Sequence, residues 1–187
     1  GGQIYFSASS GAGLHWYQNS ARLAEIPKEE ILPNHWHHVA FVKDGTNNTI
    51  SSFLDGVHRK TDTLDDSSGS TANGLNIGQQ GGGTFFSGYM QDFRVYKGIK
   101  KYTGNFTPAS SNPEIRLDTP SGVAVKSNLK KITDGAVSFD NANDTLDAGS
   151  SSDFELSSDH TIEAWIYPES TNAESIVAYY YYTDGAA

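Results

Sequence analysis

The stretch "NHWHHVAFVKDGTNNTISSFLDGVHRKTD", Asn34 to Asp62, contains runs with strand character separated by two turns. "WHHVAFVK", "TISSFL" and "VHRKTDT" are rich in β-branched and aromatic residues, and Asp, Asn or Gly bounds them. Asp55-Gly56 is a two-residue loop of the composition that suits a type I′ turn, which predicts a hairpin. Asp44 to Asn48 forms a longer loop and predicts a second hairpin. Three antiparallel strands in sequence are expected.

The same pattern extends outward on both sides. "QIYFSAS", "GLHWYQ", "GLNIGQ", "FFSGYMQDFRVY", "AVSFD", "DTLDAG", "HTIEAWIYP" and "SIVAYYYY" are further strand candidates. The composition agrees, with 12% aromatic residues and 19 glycines, as expected for many short strands and polar turns. Only "SARLAEIPKEEILP" (20–33) has helical character, and Pro27 limits it to about one turn. The predicted class is all-β, an antiparallel two-sheet β-sandwich of the jelly-roll kind.

With 22 acidic and 13 basic residues the net charge is −9, which disfavours nucleic acid and anionic membranes as partners. There are no cysteines, so disulfides and thiol chemistry are excluded. No apolar run reaches the roughly 18 residues of a bilayer span, so no membrane insertion is expected. The start has no basic residue ahead of a short apolar run, so it does not read as a signal peptide, and any export address is expected outside this sequence. The stretch "TPASSNPEIRLDTPSGVAVKSNLKKITDG" carries three of the six prolines and few aromatics. It divides the chain into a β region (1–107), a linker with two short strands (108–135) and a second β region (136–187).

The two β regions resemble parts of one family, the laminin-G-like (concanavalin-A-like) jelly-roll domains. "NHWHHVAFVKDG" and "SSFLDGVHRK" resemble the middle of that domain, and "LNIGQQGGGTFFSGYMQDFRVYKGIKKYTGNFTP" resembles its end. "VSFDNANDTLDAGSSSDFELSSDHTIEAWIYP" resembles its beginning. The order is shifted, because the beginning follows the end. Joining residue 187 to residue 1 restores the family order, with the seam in a Gly/Ala turn between two strands. Three arrangements fit. The chain is one period of a tandem array, a subunit whose tail strands complete the next copy, or a permuted domain that closes on itself. The first two give head-to-tail chains of copies, and a contact that does not close makes a filament. The head-to-tail reading is the expectation and self-closure the alternative. Strands 137–187 alone would leave an apolar face bare, so something must cover them.

The resemblance includes glucanases, which carry acids spaced Glu-x-Asp-x-x-Glu on one strand. No Glu here is followed two residues later by Asp. Asp159 and Glu163 share strand parity but lack a third acid, so Glu163 reads as structural and no enzyme is expected. In "NHWHH", Trp36 and His38 read as sandwich residues, and His35 and His37 as solvent-facing rather than metal-binding.

The resemblance also implies a rim calcium site. Asp140, Asn143 and Asp144, with Asp92 from the last strand, are its candidate oxygen ligands. The alternative is an ordinary turn rich in turn-forming residues. For a glycan partner, Trp16, Tyr17 and Tyr89 are the candidate stacking surfaces. The run Tyr179, Tyr180, Tyr181, Tyr182 must send alternate rings to opposite faces and is a candidate subunit contact. Asn47, Asn105 and Asn143 begin sequons that matter only in a glycosylating host. The expected function is a non-catalytic structural or adhesive module at a cell surface, extracellular fibre or virion. The alternatives are a calcium-dependent carbohydrate-binding lectin-type module and, less favoured, a glycan-cleaving enzyme.

Overall fold

A computed structural model describes residues 2–6, 13–65, 74–80, 84–108, 116–118, 124–126, 135–172 and 174–180. The strands in chain order are β1 (Gln3–Phe6), β2 (Leu14–Gln18), β3 (Ala21–Ile26), β4 (His37–Asp44), β5 (Thr49–Leu54) and β6 (Val57–Thr63). They continue as β7 (Gly74–Ile77), β8 (Gln79–Gln80), β9 (Thr84–Phe85), β10 (Ser87–Lys97), β11 (Arg116–Asp118) and β12 (Ala124–Lys126). The last four are β13 (Val137–Asp140), β14 (Leu146–Ser150), β15 (His160–Pro168) and β16 (Glu174–Tyr180).

Two six-stranded antiparallel sheets form the body, in the orders β14-β7-β16-β1-β2-β3 and β13-β10-β15-β4-β5-β6. The meander expected from the opening stretch is the β4–β5–β6 run. Asp55 and Gly56 both take positive φ (51° and 79°), as a type I′ turn requires. Pleat alternation sends Ile4, Phe6, Leu14, Trp16 and Ile26 from the first sheet against Val39, Phe41, Ile50, Leu54, Ile162 and Ile166 from the second. Among the described residues β11 and β12 pair with each other as a separate two-stranded sheet, Arg116 opposite Lys126.

The late strands lie inside both sheets. β15 sits between β10 and β4, with Ile162 opposite Phe41 and Val95. β16 sits between β7 and β1, with Val177 opposite Ile4 and Ile77. Tail and head strands of one chain therefore share both sheets.

One expectation is corrected. Residues 21–26, expected to have helical character, form the edge strand β3, paired with β2. Ala24 and Ile26 alternate into the core there. Sheet pairing and apolar burial outweigh the weak helix preference of a segment too short to nucleate one. Within that stretch Lys28–Glu30, after Pro27, makes a 3-10 turn.

β4 is buried on both faces, which accounts for its uninterrupted "VAFV". Its inner face meets the main core. On its outer face a strap, residues 99–108, lays Tyr102 and Phe106 over Ala40, Val42 and Phe53. The strap is held where the Phe106 N–H donates to the Gly56 carbonyl at 2.8 Å. A Cβ on Gly56 would stand 2.0 Å from the Phe106 oxygen, at a φ side chains rarely adopt. Gly56→Ala is therefore expected to cost about 2 kcal/mol in denaturant unfolding. A variant as stable as the parent would show that the strap does not need this close approach.

Candidate ligand-binding site

Where β4, β10 and β15 end together, three aromatic rings meet at the surface. β4 begins at His37, opposite Ile166, so Trp36 lies just beyond the ladder and is released from the pleat. Its ring sits 5.5 Å from that of Tyr167, inclined at 56°. Tyr89, opposite Tyr167 in the β10–β15 ladder, brings a third ring at 5.8 Å and 69°. Trp36 and Tyr89 are 38% and 39% exposed, unusual for such large apolar surfaces. With Asn34 and Glu169 they line an open cavity of about 400 Å3.

The backbone supports this arrangement. The Asn34 N–H donates to the Pro168 carbonyl at 2.8 Å, and the Glu169 N–H to the Ser87 carbonyl at 3.0 Å. At Gly88, φ is 137° and a Cβ would stand 2.1 Å from the Tyr167 oxygen. Glycine there lets β10 close on β15 beside the cavity.

Behind the cavity lies a buried carboxyl. Glu174 is 1% exposed; it accepts from the Ser87 N–H at 3.2 Å and from the Ser170 hydroxyl. Burial pushes it up to about 7, against the pull of those two hydrogen bonds, and neighbouring Glu169 adds to the rise.

A second cluster centres on Glu163, 4% exposed on the outer face of β15. Its carboxylate accepts from Lys101 Nζ (2.6 Å), Tyr102 Oη (2.6 Å) and Tyr96 Oη (3.2 Å). His38 Nε2 and Arg94 Nη1 each lie 3.8 Å away. Burial pushes Glu163 up, but the bonds from Lys101 and Tyr102 outweigh it and hold the carboxyl below its ordinary value. Burial and the bond to Glu163 push Tyr102 up to about 12. A glycosidic general acid needs a raised pKa and room for a sugar oxygen. Glu163 has neither, and it anchors the strap instead. Asp159 is likewise occupied, accepting from the Gly45 N–H at 2.7 Å.

The residues picked from sequence are dispersed. Trp16 lies inside the sandwich, 4% exposed, its indole N–H donating to Gln18 Oε1 at 3.0 Å, so no sugar can stack on it. Tyr17 is half-buried on the outer face of the other sheet, beside Tyr5 and His15. Of the three stacking candidates, Tyr89 alone lines the cavity. Trp36, read from sequence as a sandwich residue, is exposed there. His37, read as solvent-facing, is buried: its Nδ1 meets Asp55 Oδ2 at 2.9 Å and its Nε2 accepts from the Leu32 N–H at 3.1 Å.

Among the proposed calcium ligands, Asp140, Asn143 and Asp144 do share the turn between β13 and β14. The carboxylates of Asp140 and Asp144 serve that turn, the Asp140 N–H donating to Asp144 and the Ala142 N–H to Asp140 at 3.0 and 2.9 Å. Asp92 does not join them. Asp140 pairs with Ser87, and Asp92 lies five residues farther along β10, roughly 16 Å away at strand rise, beside Arg94. Among the described residues no group of three or more His, Asp or Glu is placed to hold a metal ion. Tyr179 and Tyr180 pair through their backbones with Leu75 and Gly74, while Tyr181 and Tyr182 lie outside the described residues.

Sequence reading missed Trp36, Tyr167, Asn34 and Glu169. Tyr167 was open to discovery, since it alternates outward from Ile166. Trp36 was not, because its exposure depends on where the ladder stops.

Two antiparallel sheets packed face to face, carrying an aromatic cavity at the strand ends, define a β-sandwich of the jelly-roll, lectin-like class. Residues 1–100 match the laminin-G-type family described as the concanavalin A-like lectin/glucanases superfamily, and the chain belongs to that family. The membership supports a lectin-type or adhesive module. No curated protein and no solved structure gives a significant match. Among the described residues no helix is long and apolar enough to cross a membrane.

Proposed function

We propose that this chain is a non-catalytic adhesive module of an extracellular surface, and that it captures glycans in the Trp36–Tyr89–Tyr167 cavity. The exposed aromatic group carries the reading. Pyranose rings present apolar faces that stack on Trp and Tyr, while hydroxyls seek amide and carboxylate partners such as Asn34 and Glu169. The lack of a Glu-x-Asp-x-x-Glu strand and the occupied carboxylate of Glu163 support binding without turnover.

A glycan array followed by calorimetric titration tests this. Trp36→Ala is expected to weaken the best ligand more than tenfold while leaving the unfolding midpoint nearly unchanged, because the side chain is exposed at a rim. Full affinity in that variant would move binding elsewhere.

Head-to-tail assembly of copies is the second reading. β15 and β16 complete both sheets within one chain, and head-to-tail assembly would require a neighbour's tail to take those same places by exchange. Sedimentation separates the two states: a species of 20.2 kDa is a closed chain, and a ladder of multiples is exchange between copies.

A further inference from the structure

We infer that the ligand group entering the aromatic cavity is a cationic ammonium, so that the glycan taken is an amino sugar with its amine free. This rests on the glycan reading above and narrows it.

The first observation is ring geometry. A neutral sugar chain is best served by rings sharing one plane. Here the rings incline at 56° and 69° to Tyr167, which makes a corner instead of a platform. Inclined rings that line one volume can offer a cation more than one negative π face, which is the part of a ring that attracts it.

The second is the sign of the polar groups. Among the described residues the cavity lining contains a carboxylate, Glu169, and an amide, Asn34, but no Lys or Arg. Among the described residues the hydrogen bond to the Glu169 carboxylate is a long one, from Ser87 Oγ at 3.4 Å. Its acceptor capacity is therefore largely available to a primary ammonium, which has donors to place. Glu174 lies directly behind, bonded to the same Ser87 through its N–H. The whole chain carries −9, so the long-range field also favours cations. A uronic acid would meet Glu169 and the ring faces with the wrong sign, and N-acetylation would remove the charge that the site attracts.

The test is titration of the whole chain with oligomers of glucosamine, N-acetylglucosamine and glucose, and with choline chloride, at low and at physiological salt. Free-amine oligomers are expected to bind about tenfold tighter than the acetylated and neutral ones, with the advantage shrinking as salt rises. Glu169→Gln is expected to remove that preference. Equal binding of neutral and free-amine oligomers overturns the ammonium inference and leaves the glycan reading standing. A preference that survives Glu169→Gln overturns the placement of the ammonium at this cavity's carboxylate. Choline binding as tightly as the amino sugars keeps the cation site and overturns the glycan reading. No binding by any of the four overturns both.

Discussion

Glu163→Ala is expected to destabilise the fold by about 3 to 5 kcal/mol, the largest single-site loss in the molecule outside the apolar core. The carboxylate is buried and receives three hydrogen bonds, two of them from the strap at 2.6 Å. Removing it takes the acceptor from the half-buried Tyr102 phenol over an apolar patch, while Lys101 keeps Tyr96 Oη at 3.0 Å. The strap loses its anchor, so Tyr102 and Phe106, stacked 3.5 Å apart, lose the register that lays them on Phe53. Glu163→Gln keeps the shape and one acceptor oxygen, and about half the loss is expected. Lys101 is partly exposed and can turn to solvent, which favours the lower end of the range. The pH dependence has a definite sign. Glu163 is held below its ordinary value in the folded chain, so its contribution is present above about pH 4.5 and is lost as pH falls through the depressed folded value. Parent and alanine variant should therefore converge in acid. Urea unfolding at pH 7 and pH 3 measures both statements, and a constant difference between the two would remove Glu163 as an ionised anchor.

Glu174→Gln is expected to act in the opposite sense, stabilising the protein at high pH. Its folded value of about 7 lies above the ordinary 4.5, so the neutral carboxyl is what the fold prefers. A raised value means stability is complete below about pH 4.5 and declines as pH rises through about 7. The full decline is on the order of 3 kcal/mol, from the conversion of roughly 1.4 kcal/mol per pH unit. Glutamine is permanently neutral and can still accept from the Ser87 N–H. The variant should match the parent near pH 4.5 and exceed it by about 3 kcal/mol at pH 9. A stability difference independent of pH would show that Glu174 is ionised throughout, balanced by a partner. Because Ser87 links Glu174 to Glu169, the same series reports whether charge behind the cavity alters its rim.

The hairpin at Asp55-Gly56 was legible because a local constraint decided it: two consecutive residues that tolerate positive φ, flanked by runs of β-branched and aromatic side chains. The missing acid spacing was likewise evident without coordinates. The histidines were different. Alternation alone put His37 in solvent, yet Asp55 from the next turn folds back and buries it. Ala21–Ile26 looked faintly helical in isolation and became a strand because β2 offered it a ladder.

From its residues alone, this chain was legible as an antiparallel β-sandwich, and the two-sheet architecture agrees. Pleat and turn chemistry act over two to eight neighbours and are written locally. Its cavity had to wait for the fold, because Asn34, Trp36, Tyr89, Tyr167 and Glu169 come from widely separated parts of the chain. They meet only where the β4, β10 and β15 ladders happen to end. The stopping point of a ladder is set by the packing of both sheets, not by any pattern within one strand.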